Sequence, residues 1–253
     1  MLGLDWDYGL ADVPAGALEH FISGLDDSWR GLSLTMPLKR EVVPLLGERD
    51  EVTRLVGAAN TVLFDDGRLL GFNTDVHGAR MAIEEVRGAE AIEDVLILGA
   101  GATAASVLAA LVGMGVATVT VATRSPGRAR ALLDLAARLD IDVALVGFEA
   151  PVGTPDLVVS TVPGTAALVR EFPPELRAST PLLDIAYDPW PTALALHWHE
   201  SGGTTHSGLG MLLHQAHAQV RVFVGGDPAR PLERDAEVLT VMRGALEGRP
   251  GGA

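Results

Sequence analysis

The sequence predicts an α/β protein of two domains, the larger built on a doubly wound parallel sheet, and three observations carry that prediction. From residue 95 onward short apolar runs (95–98, 119–122, 143–146, 157–161 and 182–186) alternate with helical or turn segments. Such runs suit strands buried on both faces, and strands separated by helices imply parallel crossover connections. The first run leads directly into Gly99-Ala100-Gly101-Ala102-Thr103-Ala104 and a small-residue helix reaching about Met114, the strand–turn–helix opening of a Rossmann-type unit. Before residue 76 the pattern differs, with short strands and a hairpin signal, Asp65-Asp66-Gly67, between the runs 60–64 and 68–73. Two stretches of helical period, 211–224 and 234–246, close the chain. The expected division is 1–76 with 209–253 as an α/β domain carrying the C-terminal helices, and 77–208 as the Rossmann-type domain.

Within the first part, residues 6–10 read as a short strand and 15–25 as an amphipathic helix. A strand at 32–35 runs into Met36-Pro37 and should end there, because proline has no amide to give a ladder. Lys39 then falls in the first turn of the following helix. The hairpin brings Asn60 and Asn73 to the same end, with Asp75 just beyond, so three polar groups converge by simple geometry.

Lys39 is the only lysine, against 18 arginines. A chain this biased uses arginine wherever positive charge suffices, so its one lysine marks a position that needs a proton given up and recovered, which guanidinium cannot do. With Asp75 as a coupled carboxylate, Lys39 is the candidate acid/base group, for help worth roughly 10²–10⁴ in rate.

Composition narrows the rest. The 253 residues are 48% hydrophobic with glycine and proline spread throughout, as in a compact fold. A formal charge of −14 argues against nucleic acid and anionic membranes as partners, and no apolar run reaches spanning length. Absence of cysteine excludes disulfides, thiolate catalysis and zinc–thiolate sites, and fits a cytoplasmic setting. The close pairs His214/His217 and His197/His199 lack an acidic ligand at characteristic spacing, so no metal is expected.

In the Gly99–Ala104 segment, which fits G-x-G-x-x-A, Gly99 permits the tight turn and Gly101 lets backbone amides, with those of Ala100 and Ala102 alongside, approach a pyrophosphate. Ala104 lets the helix pack close to the sheet. The second strand ends Thr123-Arg124-Ser125-Pro126-Gly127-Arg128, with no carboxylate to take a ribose 2′-hydroxyl. Arg124 and Arg128 suit a 2′-phosphate and Ser125 can donate to it. Cations at a helix start are unfavourable unless an anion binds there, so the expected cofactor is NADP. The turn Ser160-Thr161-Val162-Pro163-Gly164 after a later strand is placed to line the nicotinamide.

Taken together, Ser33-Leu34-Thr35-Met36-Pro37-Leu38-Lys39, Gly57-Ala58-Ala59-Asn60-Thr61, Gly71-Phe72-Asn73-Thr74-Asp75 and the Gly-rich unit resemble, in order, the N-V-T-x-P-x-K, G-A-x-N-T, G-x-N-T-D and nucleotide-binding segments of the shikimate dehydrogenase family. Asp184-Ile185-Ala186-Tyr187-Asp188-Pro189 resembles its D-x-x-Y-x-P, and residues 208–216 its G-x-x-M-L-x-x-Q-A. The resemblance implies that Lys39 is the catalytic lysine and Asp75 its partner. It implies that Thr35, Asn60, Gln215 and Tyr187 lie on the substrate side, and that Thr123, Thr161, Gly208 and Met211 lie near the cofactor. The implied reaction is reversible, NADP-dependent reduction of 3-dehydroshikimate to shikimate, in the route to chorismate and the aromatic amino acids, by a monomer or homodimer. Two alternatives stay open: a quinate-like cyclic polyol acid as substrate, or an NADP-binding sensor. Ser33 and Thr123 each stand where the family usually has Asn. The family's opening strand and helix, with an S-x-S motif, have no counterpart here, which implies that Met1 is an internal start and that the frame continues upstream.

Overall fold

A computed structural model describes residues 2–88, 90–164 and 170–248. Packing divides the chain into one unit of residues 1–74 and 215–253 and a second of residues 75–214. The first unit opens with α1 (Leu18–Ser23), β1 (Gly31–Ser33), α2 (Leu38–Glu41), β2 (Glu48–Arg49), α3 (Glu51–Val56), β3 (Thr61–Asp65) and β4 (Arg68–Phe72). Its sheet runs β1-β3-β4-β2, with β3 antiparallel to both β1 and β4, and β2 parallel to β4. The β3–β4 turn forms where expected: Asp66 (φ 48°) and Gly67 (φ 75°) are both left-handed, as a two-residue turn matched to strand twist requires. Leu18, Leu32, Leu34, Val42, Ala59 and Val62 make its core.

Two expectations shift here. The helix expected over 15–25 is shorter, and its first turn is capped from outside, the Glu41 carboxylate accepting the Gly16 and Leu18 amides at 2.9 and 3.0 Å. Residues 6–10 form no strand. An isolated strand cannot satisfy its own backbone, and none of the described strands pairs with this stretch; Tyr8 is 81% exposed and Leu10 fully so.

The second unit contains α4 (Asp75–Arg87), β5 (Asp94–Leu98), α5 (Ala102–Gly113), β6 (Thr118–Thr123), α6 (Pro126–Arg138), β7 (Val143–Gly147), β8 (Leu157–Ser160), α7 (Pro174–Ser179), β9 (Leu182–Asp184), α8 (Ala193–His199) and β10 (Thr205–Ser207). Its six described strands are all parallel, in the order β10-β9-β8-β5-β6-β7. The direction of winding reverses between β5 and β8, and ligands of such sheets bind at that switch point. β5 and β8 are nearly inaccessible along their length, as their continuous apolar sequence predicts. The sixth strand, β10, is Thr-His-Ser and carries no apolar signal. On one face of the sheet Leu96, Val158, Leu182, Leu194, Phe172 and Trp198 pack together, and the Trp198 indole donates to the Thr180 carbonyl at 2.8 Å.

The chain ends in α9 (Leu209–Gly225), whose residues from Gln215 on belong to the first unit, and α10 (Asp235–Glu247). The Arg221 guanidinium grips Asp235 with both arms, at 2.8 and 2.6 Å, and His217 lies 3.2 Å from the same carboxylate. This hydrogen-bonded pairing holds the Asp235 carboxyl well down, at about 2.

Candidate active site

In the first unit the β3–β4 register pairs Thr61 with Phe72, so Asn60 and Asn73 flank the open end of the hairpin. Asn60 is 1% exposed. Its Oδ1 accepts the Thr74 amide at 2.9 Å and the Thr61 hydroxyl at 3.0 Å, while Nδ2 donates to Thr74 Oγ1 at 2.9 Å and to Gln215 Oε1 at 3.1 Å. Asn73 Nδ2 donates to the Ala58 carbonyl at 2.8 Å, closing the segment that leads to Asn60. The Ala59 amide donates to the Lys39 carbonyl at 2.8 Å, which ties the α2 turn carrying the single lysine to the segment that presents Asn60. Thr35 is exposed, two residues past the end of β1.

Gln219, one turn beyond Gln215 on α9, was not expected in this cluster. It is 6% exposed, donates to the Asn60 carbonyl at 3.1 Å and accepts from Ser33 Oγ at 3.0 Å. Ser33, one of the two positions where the family usually has Asn, is thus held by the second of the chain's two glutamines, whose rarity is the only sequence signal.

In the second unit, Asp75 is the first residue of α4 and 3% exposed. Gly99 sits at the switch point with φ 105°, and a Cβ there would come within 2.6 Å of Thr161 Oγ1. Thr161 itself is fixed to the Leu98 carbonyl, through its amide at 2.8 Å and its hydroxyl at 2.9 Å. Gly101 occupies the α5 N-cap with no side chain capping the helix, which leaves the first-turn amides for a ligand. Ala104 is fully buried; Ala100 is buried and Ala102 partly so. A turn that excludes a side chain at Gly99 and leaves open space at Gly101, beside an uncapped helix start, fits a dinucleotide pyrophosphate.

At the end of β6, Thr123 is 6% exposed and its Oγ1 accepts the Ser125 amide at 3.1 Å, bending the chain into α6. Arg124 projects from that bend and is exposed; the Arg128 side chain lies outside the described residues. Gly208 is also sterically required, since a Cβ would lie 1.9 Å from the Ile185 carbonyl oxygen, and its amide donates to Ala186 O at 3.2 Å. That bond positions the turn carrying Tyr187, 43% exposed, against the start of α9, where Met211 is 4% exposed.

Asp184, quoted in the sequence only as part of a motif, organises this turn. Its carboxylate, 2% exposed, accepts from Thr192 Oγ1 at 2.6 Å and from the Ala186 amide at 3.3 Å. Burial pushes its carboxyl above the ordinary value, against the pull of hydrogen bonds from Thr192 and Ala186. Thr192 in turn caps α8 by accepting the Ala195 amide at 3.1 Å. One buried carboxylate therefore links the end of β9 to the start of α8. Among the described residues no three His, Cys, Asp or Glu gather as a metal site, and no helix is long and apolar enough to cross a membrane.

Comparison with known proteins agrees with this geometry. Residues 1–62 match the family model of the shikimate dehydrogenase substrate-binding domain, and residues 82–186 match that of shikimate/quinate 5-dehydrogenase. The NADP(+) shikimate dehydrogenase of Rubrobacter xylanophilus is 36% identical, over 98% of this chain and 87% of its own. The crystal structure of Mycobacterium tuberculosis shikimate dehydrogenase superposes with a TM-score of 0.76 at 34% identity, covering 93% of this chain and 86% of that one. The shikimate 5-dehydrogenase of Thermus thermophilus, solved with NADP(H) and shikimate, gives a TM-score of 0.72 at 29% identity, with the same coverage. Two matched family models in the expected order, relatives aligned over nearly the whole chain and a shared fold lead to one conclusion: this chain belongs to the shikimate dehydrogenase family.

Proposed function

We infer that the protein catalyses the reversible, NADP-dependent reduction of 3-dehydroshikimate to shikimate. The observation that carries this reading is the Lys39 C=O···H–N Ala59 bond, which fastens the chain's one lysine to the segment presenting Asn60. In this reading the Lys39 ammonium gives its proton to the carbonyl oxygen of the substrate as the alcohol forms, and takes it back in the reverse direction. Asp75 orients that ammonium and relays its proton. Asn60 and Gln215 lie on the substrate side with Thr35 and Tyr187; the bond the Asn60 amide now gives to Gln215 is the one that a substrate hydroxyl would take over. NADP, when bound, supplies or accepts the hydride. Its pyrophosphate is held at Gly99–Ala102 and its 2′-phosphate by Arg124, Ser125 and Arg128 beyond Thr123, while Thr161, Gly208 and Met211 border the nicotinamide. The reading includes a cytosolic setting, which a cysteine-free chain suits, and a monomer or homodimer.

The matched family description also names quinate, so quinate is the second reading. Steady-state rates with shikimate and with quinate, each with NADP⁺ and NAD⁺, decide between the substrates. Arg124→Ala should weaken NADPH more than NADH by about 1.5–3 kcal/mol, the worth of a hydrogen bond to a charged group. Equal loss for both cofactors removes the 2′-phosphate assignment.

A further inference from the structure

The sheet register places a second residue beside Arg124. β6 and β7 pair Thr123 with Gly147, so the next residue on each strand, Arg124 and Phe148, leave the sheet side by side. The Arg124 guanidinium carbon lies over the Phe148 ring, 5.6 Å from its centroid. Phe148 is 7% exposed: its ring takes part in the apolar core yet is open to the guanidinium.

The turn that carries Phe148 is fixed from below. The Ala150 amide closes on the Gly147 carbonyl at 3.0 Å, and the Arg170 guanidinium donates to both the Phe148 carbonyl and the Ala150 carbonyl, the latter at 2.8 Å. Arg170 is 4% exposed, and its guanidinium carbon lies 4.6 Å from the centroid of the Phe172 ring, which meets Trp198 edge-on at 4.9 Å. A buried guanidinium held by carbonyls and a ring face is a costly way to stabilise a fold. Such features persist where they hold something in place. Here the series Trp198, Phe172, Arg170, Phe148 runs from the core to one exposed side chain, Arg124.

We propose that Phe148 is a positioning residue for cofactor choice: its ring is the shelf that holds the Arg124 guanidinium ready for a 2′-phosphate, and Arg170 fixes that shelf. The inference rests on the reading of Arg124 as the 2′-phosphate ligand. A preorganised guanidinium avoids the ordering cost of binding, and the ring contact favours the held position. Phe148→Leu keeps an apolar side chain at the position and removes the ring face.

The test is calorimetric binding of adenosine 2′,5′-bisphosphate and of 5′-AMP, which needs no turnover. Phe148→Leu should weaken the bisphosphate by roughly 2–10-fold and leave 5′-AMP within about twofold, from the usual worth of an exposed cation–π contact and of one immobilised side chain. Phe148→Tyr, which keeps the ring, should bind as the wild type does. In an Arg124→Ala background Phe148→Leu should cause no further selective loss. Should Phe148→Leu fail to fold, Phe148→Met carries the same expectation. Equal loss of both ligands, no loss of either, or a selective loss that persists without Arg124 overturns the shelf. If Arg124→Ala alone weakens both ligands equally, the arginine reading falls first and the shelf with it.

Discussion

Replacing Asp235 by Asn should destabilise the first unit at neutral pH and leave its stability nearly unchanged near pH 2. Asp235 opens α10, and its two oxygens take the two arms of Arg221, with His217 on the same side and the Leu232 amide 3.2 Å from Oδ1. Asparagine keeps a carbonyl for that amide, so the exchange isolates the charge. The carboxyl is held at about 2, down from 3.8, and each unit of displacement corresponds to about 1.4 kcal/mol, so the interaction contributes at most about 2.5 kcal/mol and about 2 once solvent screening of the partly exposed pair is discounted. A carboxyl more acidic in the fold than in the unfolded chain stabilises the fold fully above the unfolded value. That stability drains away as pH falls through the folded one. The wild-type advantage should therefore be whole at pH 7, shrink from about pH 5, be small near pH 2 and vanish below it. Urea unfolding of both proteins at pH 7, 5, 4 and 3 reads it directly. At pH 7 the melting temperatures should differ by about 4–8 °C. A gap that is the same at every pH, or below about 0.5 kcal/mol at pH 7, refutes the reasoning.

Two further variants probe the clusters themselves. Asn60→Ala strands the fully buried Thr74 amide and Thr61 hydroxyl, at about 1–3 kcal/mol each, so it should lower the melting temperature as well as turnover; a melt within 2 °C of wild type shows that the network is not holding the hairpin end. Asp184→Asn should behave in the opposite sense to Asp235→Asn. The Asp184 carboxyl is raised by burial, so its contribution to stability is present below the unfolded value and lost as pH rises; the variant should gain on the wild type from pH 3.5 to 7, and a falling difference over that range counts against the buried charge.

The sequence made the parallel sheet legible where chemistry is local. Strands β5 and β8 are apolar on both faces, and the β3–β4 turn needs the left-handed backbone that Asp66-Gly67 supplies. β10 was invisible because its three residues are polar and it exists only by pairing with β9. α4 is not among the expected elements, although Ala79, Ala82 and Ile83 give it a buried stripe at helical spacing. At the site, single-residue chemistry was readable: a lone lysine, and glycines in a turn that now proves too tight for a side chain at Gly99. Partners set by register were not. Nothing in the local pattern says that Gly147 pairs with Thr123 and so brings Phe148 to Arg124, or that Asp184 reaches Thr192. The strand expected over 6–10 fails for the same reason, since extended sequence forms a strand only beside another.

The central claim is that Lys39 moves the proton during reduction of the substrate carbonyl. It is tested most directly by measuring kcat for NADPH-dependent reduction of 3-dehydroshikimate by the wild type and by Lys39→Arg, with the NADPH dissociation constant determined on the same samples. Charge is kept in the variant and reversible proton transfer is not. The account predicts turnover by the wild type, and a kcat for Lys39→Arg lower by roughly 10²–10⁴ with NADPH bound as before. Near wild-type turnover by Lys39→Arg at neutral pH would contradict it.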